Sequence, residues 1–249
     1  MLEGARLFVV VPAHDEEQFI AETLGGIPAF VDRVVVVDDA SSDRTAQLAS
    51  DFDSERVRVE RHSSNRGVGA AVATGYRLAL AAGADAIAVM AGDAQMDPRD
   101  LMELALPVVR REVDYAKGDR LGHPEVAALM PLGRRVAGHV LSWLTRRAAD
   151  LPALSDSQCG YTVISARAVG RIDLDALFPR YGYPNDLLGQ LSLSGCKVRD
   201  VPVRPVYGDE KSGIRPWHVP VILWIIARVA WRRISRRALP ATTGPRGNC

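Results

Sequence analysis

The sequence predicts an α/β fold, a mostly parallel β-sheet flanked by helices, and three observations carry that prediction. Short β-branched, apolar runs alternate with stretches of helical periodicity. The runs at residues 7–11, 34–37 and 86–90 lack the polar alternation of a half-exposed strand, as expected of strands covered on both faces. Polar residues gather just after the first, second and fourth runs, where open α/β sheets place their ligands.

The first strand, residues 7–11, ends at Pro12, which has no N–H to give a ladder. Residues 16–24 read as a helix, and the second strand at 34–37 ends in Asp38 and Asp39. Ser42 reads as the N-cap of a helix through Leu48, followed by a third strand at 57–60. A glycine turn at 65–69 feeds a helix over 70–81, and the fourth strand, 86–90, leads into Gly92-Asp93-Ala94-Gln95. Beyond it, helices are expected over 100–111, 131–149 and 185–194. Strands are expected at 115–118 and 197–203, with a return to the sheet over 155–164.

At 249 residues, with 47% hydrophobic and 24% charged side chains, the composition is that of one globular domain with at most a short appendage, and it excludes disordered and collagen-like chains. Three cysteines, Cys159, Cys196 and Cys249, have no C-x-x-C spacing, so neither a disulfide framework nor a zinc site is expected, and a reducing, cytosolic setting fits. The first residues lack a basic stretch followed by an apolar one, so no signal peptide is expected. The net charge of +1 conceals an asymmetry. The first 210 residues carry 23 basic and 30 acidic side chains, a net of −7, whereas the remainder carries eight basic residues and no acidic one. An acidic body with a basic tail suggests that the tail meets a negative surface.

Gly67-Val68-Gly69 before a helix is a weak match to a dinucleotide fingerprint, because Val72 stands where a third glycine belongs and the turn follows the third strand. Tight turning with close helix packing, or direct contact with a ligand, would each explain these glycines.

Four clusters are more specific together: Val10-Val11-Pro12-Ala13-His14-Asp15-Glu16-Glu17, Val36-Val37-Asp38-Asp39-Ala40-Ser41-Ser42-Asp43-Arg44-Thr45, Asn65-Arg66-Gly67-Val68-Gly69 and Gly92-Asp93-Ala94-Gln95-Met96-Asp97-Pro98. In this order they resemble an inverting family 2 glycosyltransferase of the GT-A (nucleotide-diphospho-sugar transferase, Rossmann-like) fold, and most of all the polyprenyl- or dolichyl-phosphate mannose and glucose synthases. The resemblance runs from about Leu7 to Ile214. It implies transfer of a hexose, with inversion, from a UDP- or GDP-sugar to a polyprenyl phosphate.

The resemblance assigns nucleotide binding to Pro12, Ala13, Glu16, Asp39, Asn65 and Gly67, with Asp39 accepting the base's imide N–H. A sugar diphosphate leaving group is neutralised by Mg²⁺ or Mn²⁺ through oxygen ligands, and Asp93 and Gln95 match the metal-proximal positions. Ala91 stands where the family pattern has its first Asp, which removes one ligand or sugar contact. Asp97, before a proline, reads as a cap. Arg120 and Arg135 match arginines that hold the acceptor phosphate, a task suited to the planar guanidinium fork. Asp156, in Asp156-Ser157-Gln158-Cys159-Gly160-Tyr161, belongs with Asp93 among the catalytic carboxylates. Asp186 joins them at the position where relatives acting on hydroxyl acceptors carry a base. A hydroxyl benefits from such a base, whereas a phosphate monoester is already anionic at neutral pH. Lys211 and Ser212 match a loop closing over the donor diphosphate.

These matches divide the chain into a catalytic domain, residues 1–214, an apolar and basic helix over 215–240, and a disordered tail, 241–249. The 13 residues from Val219 to Trp231 are too few to span a bilayer, which takes about 20. With Trp224 and Trp231 on one face and Arg228, Arg232 and Arg236 on a neighbouring one, this helix either lies at a membrane interface, with residues 221–226 in the acyl boundary and arginines among headgroups, or serves a homodimer or a lid. The expected location is peripheral, on the cytoplasmic face of a membrane, and no nucleic-acid partner is expected. Two other functions keep a place: transfer to a hydroxyl of a glycan or glycolipid with Asp186 as base, and a non-catalytic nucleotide-sugar binding protein, to which Ala91 points.

Overall fold

A computed structural model describes residues 1–52, 55–206 and 218–238. In chain order it contains β1 (Leu7–Ala13), α1 (Ile20–Gly26), β2 (Arg33–Asp38), α2 (Thr45–Phe52), β3 (Val57–Arg61), α3 (Val68–Ala81), β4 (Ala86–Val89), a 3-10 turn (Pro98–Asp100), α4 (Leu101–Val109) and β5 (Tyr115–Asp119). There follow α5 (Val126–Leu129), α6 (Leu132–Ala149), β6 (Thr162–Ser165), α7 (Ala166–Val169), α8 (Tyr183–Leu193), β7 (Val198–Pro202) and α9 (His218–Ala238).

The strands form one seven-stranded sheet in the order β3-β2-β1-β4-β6-β5-β7. Only β6 runs against its neighbours, so the sheet is mostly parallel, as expected. All seven residues of β1 are buried because it lies between β2 and β4 with helices on both faces. Period-two alternation sends Leu7, Val9 and Val11 into one apolar layer with Ile20, Leu24, Leu101 and Leu104. Phe8 and Val10 enter the other, with Val72, Tyr76 and Leu187.

Four local expectations are corrected. The first helix begins at Ile20, not residue 16, because the backbone of residues 15–17 is drawn onto the loop after β2. Asp43, not Ser42, serves the start of α2, its Oδ1 accepting from the Thr45 N–H at 2.9 Å, while the Ser42 N–H donates to Asp15. Of residues 155–164, those before Thr162 form a loop. The eighth helix starts at Tyr183, two residues early, so Asn185 and Asp186 lie in its first turn.

The helix α9 lies with one face on the protein. Ile222, Ile225, Ile226 and Val229 pack with Ala148 and Ala149 of α6 in a third apolar cluster, while Val221, Leu223, Trp224, Trp231 and Ile234 stay exposed, so only one face of the segment expected in lipid is buried in protein. A Cβ on Gly189 of α8 would come within 2.6 Å of Val229, so α8 and α9 touch closely. Of its arginines, Arg228 and Arg232 turn to the buried Asp186, Arg233 meets the exposed Asp150, and the exposed Arg236 donates to the Leu193 carbonyl. Among the described residues, no helix is long and apolar enough to cross a membrane. The expected boundary at 214–215, Lys211, Ser212 and the tail 241–249 lie outside the described residues.

Candidate active site

The loops after β1 and β2 are laced together. The N–H groups of Asp15, Glu16 and Glu17 donate to Ser41 Oγ, Thr45 Oγ1 and Asp43 Oδ2 at 3.0, 2.7 and 3.1 Å. In return the N–H groups of Ser42 and Arg44 donate to Asp15 and Glu17. Asp15, Ala40 and Ala94, one in each loop after β1, β2 and β4, hold positive φ of 56°, 60° and 56°. Such a conformation is costly for residues other than glycine and persists where surrounding contacts enforce it, often at functional sites.

Asp39 binds the third loop to the first two. Its backbone N–H donates to the Ala13 carbonyl at 2.8 Å. Its carboxylate accepts from the N–H groups of Arg66 at 2.8 Å and Gly67 at 2.6 Å, and from His62 Nδ1 at 2.7 Å. Burial alone would raise this carboxyl, but those donors hold it below the usual carboxylate range. Since the carboxylate can only accept, Nδ1 carries the imidazole proton there, and Nε2 meets Thr74 Oγ1 at 3.0 Å. His62 was not visible as a site residue, because nothing in the spacing relates it to Asp39. Gly67 needs to be glycine for its φ of 96°, and Gly69 for space: an added Cβ would lie 2.1 Å from the Phe178 carbonyl oxygen. Asn65 Oδ1 accepts from Arg180 at 3.3 Å, a second residue the sequence did not single out. Pro12, Ala13, Glu16, Asp39, Asn65 and Gly67 thus come from three adjoining strand-end loops.

Asp93 sits in the turn after β4, where its Oδ1 accepts from the Gln95 N–H at 3.1 Å and Gly92 donates to the Pro12 carbonyl. The Glu16 carboxyl is pushed up to about 7, by burial first and then by the charges of Asp93, Asp43 and Asp15. Positive charge added beside these carboxylates would lower the Glu16 carboxyl again. Among the described residues no three His, Cys, Asp or Glu gather into a metal cage. The oxygen donors of Asp93 and Gln95 fit Mg²⁺ or Mn²⁺ all the same, since such ions are commonly held by one or two carboxylates plus substrate phosphates. Asp97 caps the 3-10 turn, accepting from the Arg99 N–H at 2.9 Å, in agreement with its reading as a cap.

The 156–161 loop lies against this turn, with the Tyr161 hydroxyl donating to the Asp97 carbonyl at 3.1 Å. Asp156 is fully buried and forms a two-point pair with Arg120, Nε to Oδ2 at 2.8 Å and NH2 to Oδ1 at 3.2 Å. Burial would raise its carboxyl, but Arg120, Lys117 and hydrogen bonds lower it to about 2. The structure therefore joins two residues that the sequence assigned to different tasks. Lys117, fully buried, donates to the Cys159 carbonyl at 2.8 Å beneath this loop; its signal was a lysine inside an otherwise apolar strand. Burial raises the Cys159 thiol, which suits packing rather than nucleophilic attack. Gly138 of α6 packs on Leu121, bringing α6, which carries Arg135 in its first turn, against the segment bearing Arg120.

Asp186 is fully buried, and both its oxygens are engaged. Oδ2 accepts from the Phe178 N–H at 3.0 Å, and Oδ1 faces Arg228 at 2.7 Å and Arg232 at 3.2 Å. Both oxygens are thus directed at the Phe178 N–H and at α9. The neighbouring Asn185 Oδ1 accepts from Thr145 and Gln158 at 2.8 and 3.1 Å, tying α8 to α6 and to the 156–161 loop.

Comparison with known proteins gives concordant results. Residues 8–173 match the family described as Glycosyl transferase family 2. The chain is 25% identical over 245 residues to the UDP-N-acetylglucosamine–dolichyl-phosphate N-acetylglucosaminyltransferase of Methanococcus voltae, covering 92% of this chain and 97% of that one. It is 29% identical over 203 residues to the undecaprenyl-phosphate mannosyltransferase of Micrococcus luteus, covering 80% and 82%. Glucosyl-3-phosphoglycerate synthase from Mycobacterium tuberculosis, solved with Mn²⁺, UDP and glucosyl-3-phosphoglycerate, superposes with a TM-score of 0.67 at 18% identity, over 96% of this chain and 82% of that one.

Proposed function

The chain belongs to glycosyl transferase family 2 and has the GT-A fold, and from that premise we propose that it moves a hexose, mannose or glucose, from a UDP- or GDP-sugar to a polyprenyl phosphate with inversion. The observation that carries the choice of acceptor is the state of Asp186. Held by Arg228, Arg232 and the Phe178 N–H, it is ill placed to take a hydroxyl proton, whereas a phosphate monoester needs no base. The two similar lipid-phosphate transferases support the same reading.

In this reading Asp39 uses three of its roughly four acceptor positions on the protein and offers the last to the base N–H of the nucleotide. Mg²⁺ or Mn²⁺, held by Asp93 and Gln95, would neutralise charge gathering on the departing diphosphate. Asp156 orients Arg120 at the acceptor side, and Arg135 adds the second positive group. Lys211 and Ser212 would close over the diphosphate. The reaction joins a water-soluble donor to an acceptor whose tail lies in lipid, so it would run at the membrane surface, on its cytoplasmic face.

The test is a donor-by-acceptor matrix with labelled sugars, including N-acetylglucosamine, with a short polyprenyl phosphate present or absent. Transfer should require the lipid phosphate, vanish in Asp93→Ala with folding intact, and survive in Asp186→Asn to within about tenfold. Loss of a base costs about 10²–10⁴-fold. A loss of that size in a folded Asp186→Asn protein would restore the hydroxyl acceptor.

A further inference from the structure

We propose that α6 is the surface by which this protein docks on an anionic phospholipid bilayer, with headgroup phosphates entering an arginine-lined cavity at the helix's C-terminal end. The inference rests on the lipid-phosphate reading only for the reason to be at a membrane. Its own support is a stripe of large apolar side chains turned to solvent: Leu132 at 67%, Val136 at 55%, Val140 at 53% and Trp143 at 49% exposure. Spaced four, four and three residues apart, they share one face and cover about 16 Å of helix. Single exposed apolar residues are ordinary, but a continuous stripe along a surface helix marks an interaction site.

The charge around the stripe selects the occupant. Neither α6 nor the α9 helix packed against it contains an Asp or Glu, and α6 carries Arg134, Arg135, Arg146 and Arg147. The Arg147 guanidinium lies 5.5 Å from the centre of the Trp143 ring, the pairing of aromatic and cation found on helices lying in a lipid interface. Next to it Arg146, Arg147 and Arg233 line a cavity of about 430 Å³ with Asp150 and Pro152. Asp150 supplies one carboxylate, 3.5 Å from Arg233, against three guanidinium groups, and Arg233 Nε is buried without a hydrogen-bond partner. A second copy of the chain would set arginine against arginine across this surface, whereas a leaflet of anionic lipid offers phosphates to the arginines and acyl chains to the stripe.

The position also suits the reaction. A smaller cavity of about 200 Å³ lies between Trp143, His139 and Arg146 of α6 and the segments carrying Leu121 and Leu154. It adjoins Arg120 and the loop bearing Asp156. With α6 on the bilayer, a lipid phosphate would have a short path to that side of the site. Arg228 and Arg232 of α9, by contrast, pair with the buried Asp186.

The experiment is flotation of the full chain with phosphatidylcholine vesicles with and without phosphatidylglycerol, at low and high salt. The wild type should float with the anionic vesicles, less at high salt. Val136→Glu with Val140→Glu should lower the bound fraction at least about tenfold. Arg146→Gln with Arg147→Gln should lower it too and blunt the dependence on anionic lipid. All these side chains lie on the surface, and circular dichroism checks that each variant is folded. Transfer to a short polyprenyl phosphate in detergent should be unchanged in Val136→Glu/Val140→Glu. If no transfer occurs but flotation still depends on α6, docking stands and the acceptor reading falls. Docking is overturned if the wild type does not float, if the glutamate variant floats equally well, or if sedimentation shows a dimer that the glutamates dissociate.

Discussion

Replacing Asp156 by Asn should cost the protein about 3 kcal/mol of stability at neutral pH. The carboxylate is fully buried, pairs with Arg120 at two points and feels the buried Lys117. Lowering its pKa from 3.8 to about 2, against the opposing effect of burial, corresponds to about 2–3 kcal/mol. Breaking a buried pair by removing one partner gives about 3–5 kcal/mol, and the partial exposure of Arg120 favours the lower end. For a chain of this size each kcal/mol moves Tm by about 2–4 °C, so the variant should melt roughly 6–12 °C below the wild type. The pH dependence follows from the direction of the shift. A depressed carboxyl contributes fully above its unfolded value, about 3.9, and loses that contribution as pH falls through about 2. The gap between wild type and Asp156→Asn should therefore be constant from about pH 7 to 5 and narrow below about pH 4. Melts followed by circular dichroism across that range measure it. A gap under about 2 °C at neutral pH, or one that widens on acidification, would refute the assignment of this pair as a buried anchor.

Glu16, raised by burial and then by neighbouring carboxylates, should titrate near 7 by carboxyl ¹³C NMR, with the midpoint falling when Mg²⁺ and a nucleoside diphosphate are added. A raised carboxyl destabilises the fold as pH climbs from its unfolded value through 7, so Glu16→Gln should be more stable than wild type at alkaline pH and equal to it near pH 4. Gly69→Ala should destabilise by about 1–3 kcal/mol in urea titrations, because the new methyl would meet the Phe178 carbonyl oxygen. Gly133→Ala, in α6 with nothing within 4 Å of its Cβ, should stabilise by about 0.5 kcal/mol.

The strand-end loops were legible in advance for a simple reason. A strand covered on both faces must be apolar throughout, so Asp39 and Asp93 stand out where their strands stop. Boundaries such as the start of α1 were less legible, because Ser41, Asp43 and Thr45 hold the 15–17 backbone from another loop. Asp186 was assigned by motif position, and nothing in its neighbourhood announced two arginines more than 40 residues downstream.

Amphipathic pattern leaves the choice of partner open. The pattern of α9 does not say which of its apolar residues meet protein, and only the approach of Gly189 to Val229 and of Asp186 to Arg228 set Ile222, Ile225 and Val229 against α6 and α8 while Leu223, Trp224 and Trp231 stay exposed. The sequence by itself determined what depends on local period and composition: the sheet, its helices, and the polar loops at the strand ends. Tertiary structure alone decided which charges pair, Asp156 with Arg120, Asp186 with Arg228 and Arg232, Asp39 with His62. The energy of a buried charge depends on which groups lie within a few ångströms of it in space, and spacing along the chain does not encode that distance.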